Sequence, residues 1–236
     1  MADQFQTTRW SFVLSARRGE GDSREALEWL CQTYWYPLFA YVRRQGHSAD
    51  EAQDLTQGFF LRLLEPDFLQ NVDPELGRFR AFLLISIKHF LSNQRERERA
   101  LTRRADDRAF RVDLADAERR YALEANTTLS PDALFEARWA RFVLDRALRR
   151  LGQEYESAGK GEMFRGLRGH LTGDEPSYER LAADLDATEG ALRVAVHRLR
   201  RRLGALLREE VAQTVARPED VDIELRSLLE AAGRQA

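Results

Sequence analysis

The chain has 236 residues, 43% of them hydrophobic and 32% charged, with a formal net charge of −2. That apolar share excludes a wholly disordered chain, and the near-neutral balance excludes a protein that coats nucleic acid by bulk charge. Any such contact must rest on local patches. The single cysteine, Cys31, excludes an internal disulfide and a cysteine-built zinc site.

Taken in chain order, the start, MADQFQTTRWS, lacks a basic segment followed by an apolar run, so no signal peptide is expected. Apolar periodicity predicts helices over 8–18, 23–45, 49–65 and 77–104. Pro37 interrupts the second, where an interior proline predicts a kink or a break. Ser48 and Glu51 carry the spacing of a capping box at the start of the third. The most apolar stretch, FRAFLLISIKHF, is too short to span a bilayer and is interrupted by Lys88 and His89. No membrane insertion is expected, and a cytoplasmic location is.

Between about 95 and 130 the chain turns polar and dense in both charges. This reads as a frayed helix end followed by a linker. Ser130-Pro131 then opens a new helix, with serine as N-cap and proline at the first helical position. SAGKGE breaks the chain near 157–162; a helix near 162–171, a helical pair over 177–203 and an acidic helix over 218–232 follow. Strand signals are nearly absent. The predicted fold is all-α, with two helical domains joined by a linker. The boundaries are 1–104, a linker at 105–130, a helix-turn-helix domain at 131–208 and an acidic extension at 209–236.

The pair SYERLAADLDATEGALRVAVHRLRRRL holds the strongest functional signal. Leu192, Val196, Leu199 and Leu203 form a narrow apolar stripe, which places Arg193, His197 and Arg201 on the opposite face, flanked by Val194 and Arg198. Thr188 is placed to cap the helix and present first-turn amides to a phosphate. Residues 188–208 hold six arginines and one acid, whereas 209–236 hold seven acids and three arginines. The short helix before the compact DATEG turn makes this a helix-turn-helix pattern with a basic second helix, as duplex DNA binding requires. A solvated arginine face is the competing reading of the same residues.

These residues resemble the promoter-reading domain of bacterial sigma factors of the extracytoplasmic-function type. That family shows S-Y-x-E-I-A followed by E-G-T-V-[KR]-S-R-x-x-R-A-R, matched here by Ser177, Tyr178, Leu181, Ala182, Glu189, Gly190, Leu192, Arg193, Arg198 and Arg200. Earlier in the chain, Ala52, Gln53, Asp54, Leu55, Gln57 and Phe60 are similar to the family's core-polymerase-binding motif, A-E-D-L-x-Q-x-x-F. GRFRAFLLISIKHFLSNQRERER is similar to its promoter-melting segment. The resemblance implies a dissociable subunit of bacterial RNA polymerase, with core RNA polymerase and promoter DNA as partners and no cofactor or metal. It implies core-polymerase contacts at Glu51, Asp54, Gln57 and Phe60, and minus-ten DNA contacts at Phe79, Arg80, Lys88 and His89. The minus-thirty-five element would fall to Thr188, Arg193, Val194, His197, Arg198 and Arg201.

Three departures accompany it. Val194-Ala195 replaces the family's Ser-Arg pair, leaving Val194 to meet a thymine methyl. The segment before Ser177 and the acidic tail are longer than usual, and the tail is open to two roles: docking on the basic helix to restrain DNA binding, or a solvated stabilising helix. Gln53 replaces a glutamate beside Thr56, which motivates a phosphorylation site there: a Ser/Thr kinase would restore an acidic patch by adding about −1.5 to −2 charge. An ordinary surface threonine is the alternative. A separate anti-sigma protein is a further possible partner. No Gly-rich phosphate loop, zinc-type histidine cluster or nucleophile elbow marks an enzyme. A stand-alone helix-turn-helix regulator and a degenerate sigma-like adaptor are the rival readings.

Overall fold

Helix is the one regular element among the described residues, as the 3.6-residue periodicity predicts. The structure is a computed structural model that describes residues 23–63, 65, 78–98, 113–123, 128–173, 176–215 and 217–234. The helix expected over 8–18 lies outside the described residues. The chain divides into two compact units, one of Met1–Arg141 with Ala212–Ala236, the other of Phe142–Val211. Among the described residues, no helix is long and apolar enough to cross a membrane.

The first unit opens with a helical hairpin, α1 (Ser23–Arg44) and α2 (Ala49–Leu63). Of the kink or break expected at Pro37, the break does not occur: helix α1 runs through it. At the hairpin turn the capping box forms: the Ser48 amide donates to the Glu51 carboxylate at 2.8 Å, and the Glu51 amide donates to Ser48 Oγ at 3.3 Å. Helix α3 (Phe79–Glu98) lays Phe90 edge-on against Phe59 of α2, with ring centroids 5.8 Å apart. Gly58 permits this approach, because a Cβ there would sit 3.3 Å from Phe90.

Helix α4 (Leu114–Leu123) lies inside the stretch expected as linker, 105–130. It is anchored to α1 by Glu118, which receives Arg43 Nε at 2.7 Å, and by Tyr121, whose ring lies under the Arg43 guanidinium. Helix α5 (Pro131–Ser157) starts as predicted: Ser130 Oγ accepts from the Ala133 amide and Ser130 O from the Leu134 amide. The core of this unit holds Tyr34, Leu38, Phe39, Phe59, Phe60, Leu83, Ile87, Phe135 and Trp139, all essentially sealed from solvent.

The unit is completed by the far end of the chain. A 3-10 turn, Pro218–Asp220, leads into α10 (Val221–Gly233), which buries Glu224, Leu228 and Ala231. The Phe79 amide donates to Thr214 O, so this segment also meets the start of α3 through backbone. The stretch expected as one acidic extension, 209–236, is divided: 209–211 fall in the second unit and Ala212–Ala236 in the first.

In the second unit α5 ends in a Schellman motif. Gly159 takes φ +69°, its amide donates to Glu156 O and the Lys160 amide to Tyr155 O. The helix expected near 162–171 is two: α6 (Gly161–Leu167) and the single turn α7 (Gly169–Thr172). Helices α8 (Tyr178–Asp184) and α9 (Glu189–Ala212) follow. Gly166 on α6 allows the close approach of α8, since a Cβ there would lie 3.1 Å from Leu185 Cδ1 and 3.5 Å from Leu181 Cδ2.

Candidate nucleic-acid interface

The turn between α8 and α9 is closed by backbone bonds. The Leu185 amide donates to Leu181 O and the Ala187 amide to Ala182 O. Asp186 adopts φ 47°, a left-handed conformation that aspartate tolerates better than most residues. Thr188 caps α9, its Oγ1 accepting from the Ala191 amide at 3.2 Å and its carbonyl from the Leu192 amide at 3.0 Å. Ser177, by contrast, makes no side-chain cap on α8.

Helix α9 is sharply two-sided. Leu192, Val196, Leu199, Leu206, Leu207 and Val211 are buried, so the apolar stripe continues past Leu203, itself half-buried. Arg193, Val194, His197, Arg198 and Arg201 are all exposed, Val194 at 51%. Helical periodicity thus separates the two faces as predicted.

The arginines themselves divide by face. Arg202 reaches Glu154 with Nη2 at 2.6 Å, which holds the Glu154 carboxyl below the usual carboxylate range. Arg200 donates to the His170 carbonyl at 2.9 Å. From α5, Arg146 and Arg150 ion-pair with the buried Glu210 at 2.9 and 2.8 Å. Arg198 and Arg201 pair with no carboxylate among the described residues. Arg146, Arg150 and Arg202 are therefore neutralised within the fold, whereas Arg198 and Arg201 are left to solvent or to a ligand.

Arg193 is a third case. Its guanidinium lies over the Tyr178 ring, 4.5 Å from the centroid, and reaches Glu189 at 3.4 Å while staying largely exposed. The Tyr178 ring also stacks on His170, with centroids 4.4 Å apart and planes 14° from parallel. His170 is 4% exposed, so this edge of the face rests on a buried group.

Of the core-polymerase candidates, Glu51 and Asp54 are exposed on α2 and Gln57 is half-buried. Phe60 is a correction: at 1% exposure it belongs to the core and is not a docking residue. Leu61, 38% exposed, lies one turn beyond Gln57 on the face of Asp54, and its i, i+3, i+7 spacing is the signal that sequence reading overlooked. Thr56 is a second correction. Its Oγ1 donates to the Ala52 carbonyl at 2.6 Å and its side chain is fully buried, so a kinase has no access to it in this fold.

The minus-ten candidates separate sharply. Lys88 and His89 are exposed on α3, with Lys88 Nζ 2.6 Å from Asp132, a hydrogen bond that raises the lysine's affinity for its proton. Phe79 and Arg80 are corrected to buried residues. Phe79 packs edge-on against Tyr34, and Arg80 is 1% exposed with its guanidinium 4.3 Å from the Trp139 ring centroid.

Arg80 also meets Glu136 at 2.9 Å and Glu224 at 3.1 Å and donates to Ser227 Oγ at 2.9 Å; Arg78 Nε reaches Glu224 at 3.0 Å. Arg80 Nη1 and Glu224 Oε2 are at ion-pair distance without the alignment of a hydrogen bond. Burial raises the pKa of both carboxyls against the opposing pull of the arginines. The sequence left two roles open for the tail, and the structure gives a third: it is a buried ionic partner of α3.

No protein-family model, no curated protein and no solved structure matches the chain.

Proposed function

We propose that this chain is a sigma-type subunit that joins bacterial core RNA polymerase and directs it to promoter DNA. The observation that carries the reading is the outer face of α9. There Arg193, His197, Arg198 and Arg201 stand exposed beside Val194, behind a short helix and a tight capped turn. Such a helix fits the major groove, where its guanidinium groups meet phosphates or guanine edges and an apolar side chain meets a thymine methyl. The exposed Glu51, Asp54 and Leu61 of α2, with the half-buried Gln57 among them, supply a mixed acidic and apolar surface for the polymerase. In this reading the chain's side chains make and break no bond. Its effect is stoichiometric, through placement of the polymerase.

One observation favours a second reading. Phe79 and Arg80, which the family resemblance would aim at an opened strand, are sealed in the first unit. A DNA-binding protein that reads duplex without melting it needs neither residue. The experiment is a footprint on duplex fragments with the chain alone, core polymerase alone and both together. A protected region seen only with both supports the sigma reading. Protection by the chain alone, over a palindromic site, supports a stand-alone regulator.

A further inference from the structure

We infer that Tyr178 is a positioning residue for DNA reading: its ring sets the Arg193 guanidinium on the outer face of α9, and His170 sets the ring. This rests on the DNA-reading proposal above and names the part of that face which is pre-arranged. An exposed arginine ordinarily samples many rotamers, and fixing one on binding costs entropy. Arg193 is relieved of part of that cost. Its guanidinium lies 4.5 Å from the Tyr178 centroid, and the Glu189 carboxylate one helical turn away holds it from a second direction.

Tyr178 is in turn immobilised from below. The His170 imidazole stacks on it at 4.4 Å, and the His170 carbonyl is tied to α9 by Arg200 Nη2 at 2.9 Å. The result is a continuous support from α7 through α8 to α9: Arg200, His170, Tyr178, Arg193. Neither Arg198 nor Arg201, on the same outer face, has an acidic partner among the described residues. The face therefore divides into one oriented guanidinium and two unoriented ones. An oriented planar fork suits bidentate recognition of a guanine edge, whereas loosely held cations suit phosphates. Arg193 is assigned to base reading, and Arg198 and Arg201 to the backbone.

The test passes the full-length chain, alone and with bacterial core RNA polymerase, over a pool of randomised duplex fragments and sequences the retained fraction. Arg193→Ala is expected to erase base preference at one or two adjacent positions, leaving the others. Tyr178→Leu should weaken preference at those same positions by about two- to fivefold, the size of an exposed cation–π contact. Tyr178→Phe should keep the full pattern, because the ring and not the hydroxyl does the holding. Adding Tyr178→Leu to Arg193→Ala should change nothing further at those positions.

The inference is overturned if Tyr178→Leu leaves the Arg193 positions intact. It is equally overturned if Tyr178→Leu flattens every position alike, which is the mark of a purely structural role. A wild-type chain that enriches no sequence in either arm removes the DNA-reading proposal itself, and this inference with it.

Discussion

At the scale of single residues, side-chain type was a good guide to exposure where helical phase agreed with it and a poor one where a distant partner intervened. Thr56 reads as a surface hydroxyl beside charged neighbours, yet it is sealed and bonded to Ala52 O. Thr56→Val should shift stability by no more than about 1 kcal/mol, the worth of one neutral hydrogen bond. Thr56→Glu should cost about 3 kcal/mol or more by forcing an unpaired charge into the core. Thermal melts of the two variants check this, and a Thr56→Glu protein as stable as wild type would show the site to be open. Arg80 misled for the same reason. An arginine normally signals solvent or a ligand, and Ser227, one of its partners, lies 147 positions further along the chain. Cys31 is legible only by composition as a lone thiol. Burial pushes its pKa up to about 12, so a thiol reagent at neutral pH should modify it only after unfolding. Rapid labelling of the folded protein would contradict that.

At the scale of elements, the helix caps and the amphipathic faces were written locally, and those parts of the fold were legible. The signals at Ser48 with Glu51, at Ser130-Pro131 and at Thr188 each span four residues or fewer and needed no tertiary knowledge. Hydrogen bonds from Ser48 hold the Glu51 carboxyl below its ordinary value. Its stabilisation is therefore present in full above the ordinary glutamate range and is lost as pH falls through the lowered value. The difference in melting temperature between wild type and Glu51→Gln should accordingly shrink on acidification. A gap that stays constant or widens in acid would refute the linkage. Less legible was the tail, because an acidic amphipathic helix looks the same whether its carboxylates face water or a buried arginine. Glu224→Ala would leave Arg80 and Arg78 short of a counter-charge, and a loss of about 3–5 kcal/mol is expected for such a broken buried pair. Pairing Glu224→Leu with Arg80→Met should lose less than the sum of the two single changes, since the two deeply buried charges go together and only the more exposed Arg78 and Glu136 are left behind. Additive losses in denaturant titrations would mean that the two groups do not interact. The helix break at Gly159 belongs to this scale as well: Gly159→Ala forces a Cβ into φ +69° and should cost roughly 1–2 kcal/mol.

At the scale of the whole molecule, the all-helical class followed from periodicity, while the division into units did not. The chain leaves the first unit within α5 and returns to it at the last residue of α9, so no polar linker marks either crossing. Charge balance makes sense at the same scale. The near-zero net charge conceals a chain in which arginines at 146, 150 and 202 are neutralised internally, while those at 198 and 201 remain available. If these two meet phosphates, duplex binding should weaken steeply with salt. Arg198→Ala or Arg201→Ala should each then reduce the slope of log affinity against log salt by about 1, with base preference kept. An unchanged slope would place them off the DNA. The central claim is association with polymerase, and gel filtration tests it most directly: the purified full chain, bacterial core RNA polymerase, and the two mixed. Co-elution of chain and polymerase in a one-to-one ratio is the predicted result. Separate elution at every concentration tried, from a chain that is folded and binds duplex DNA by itself, would contradict it.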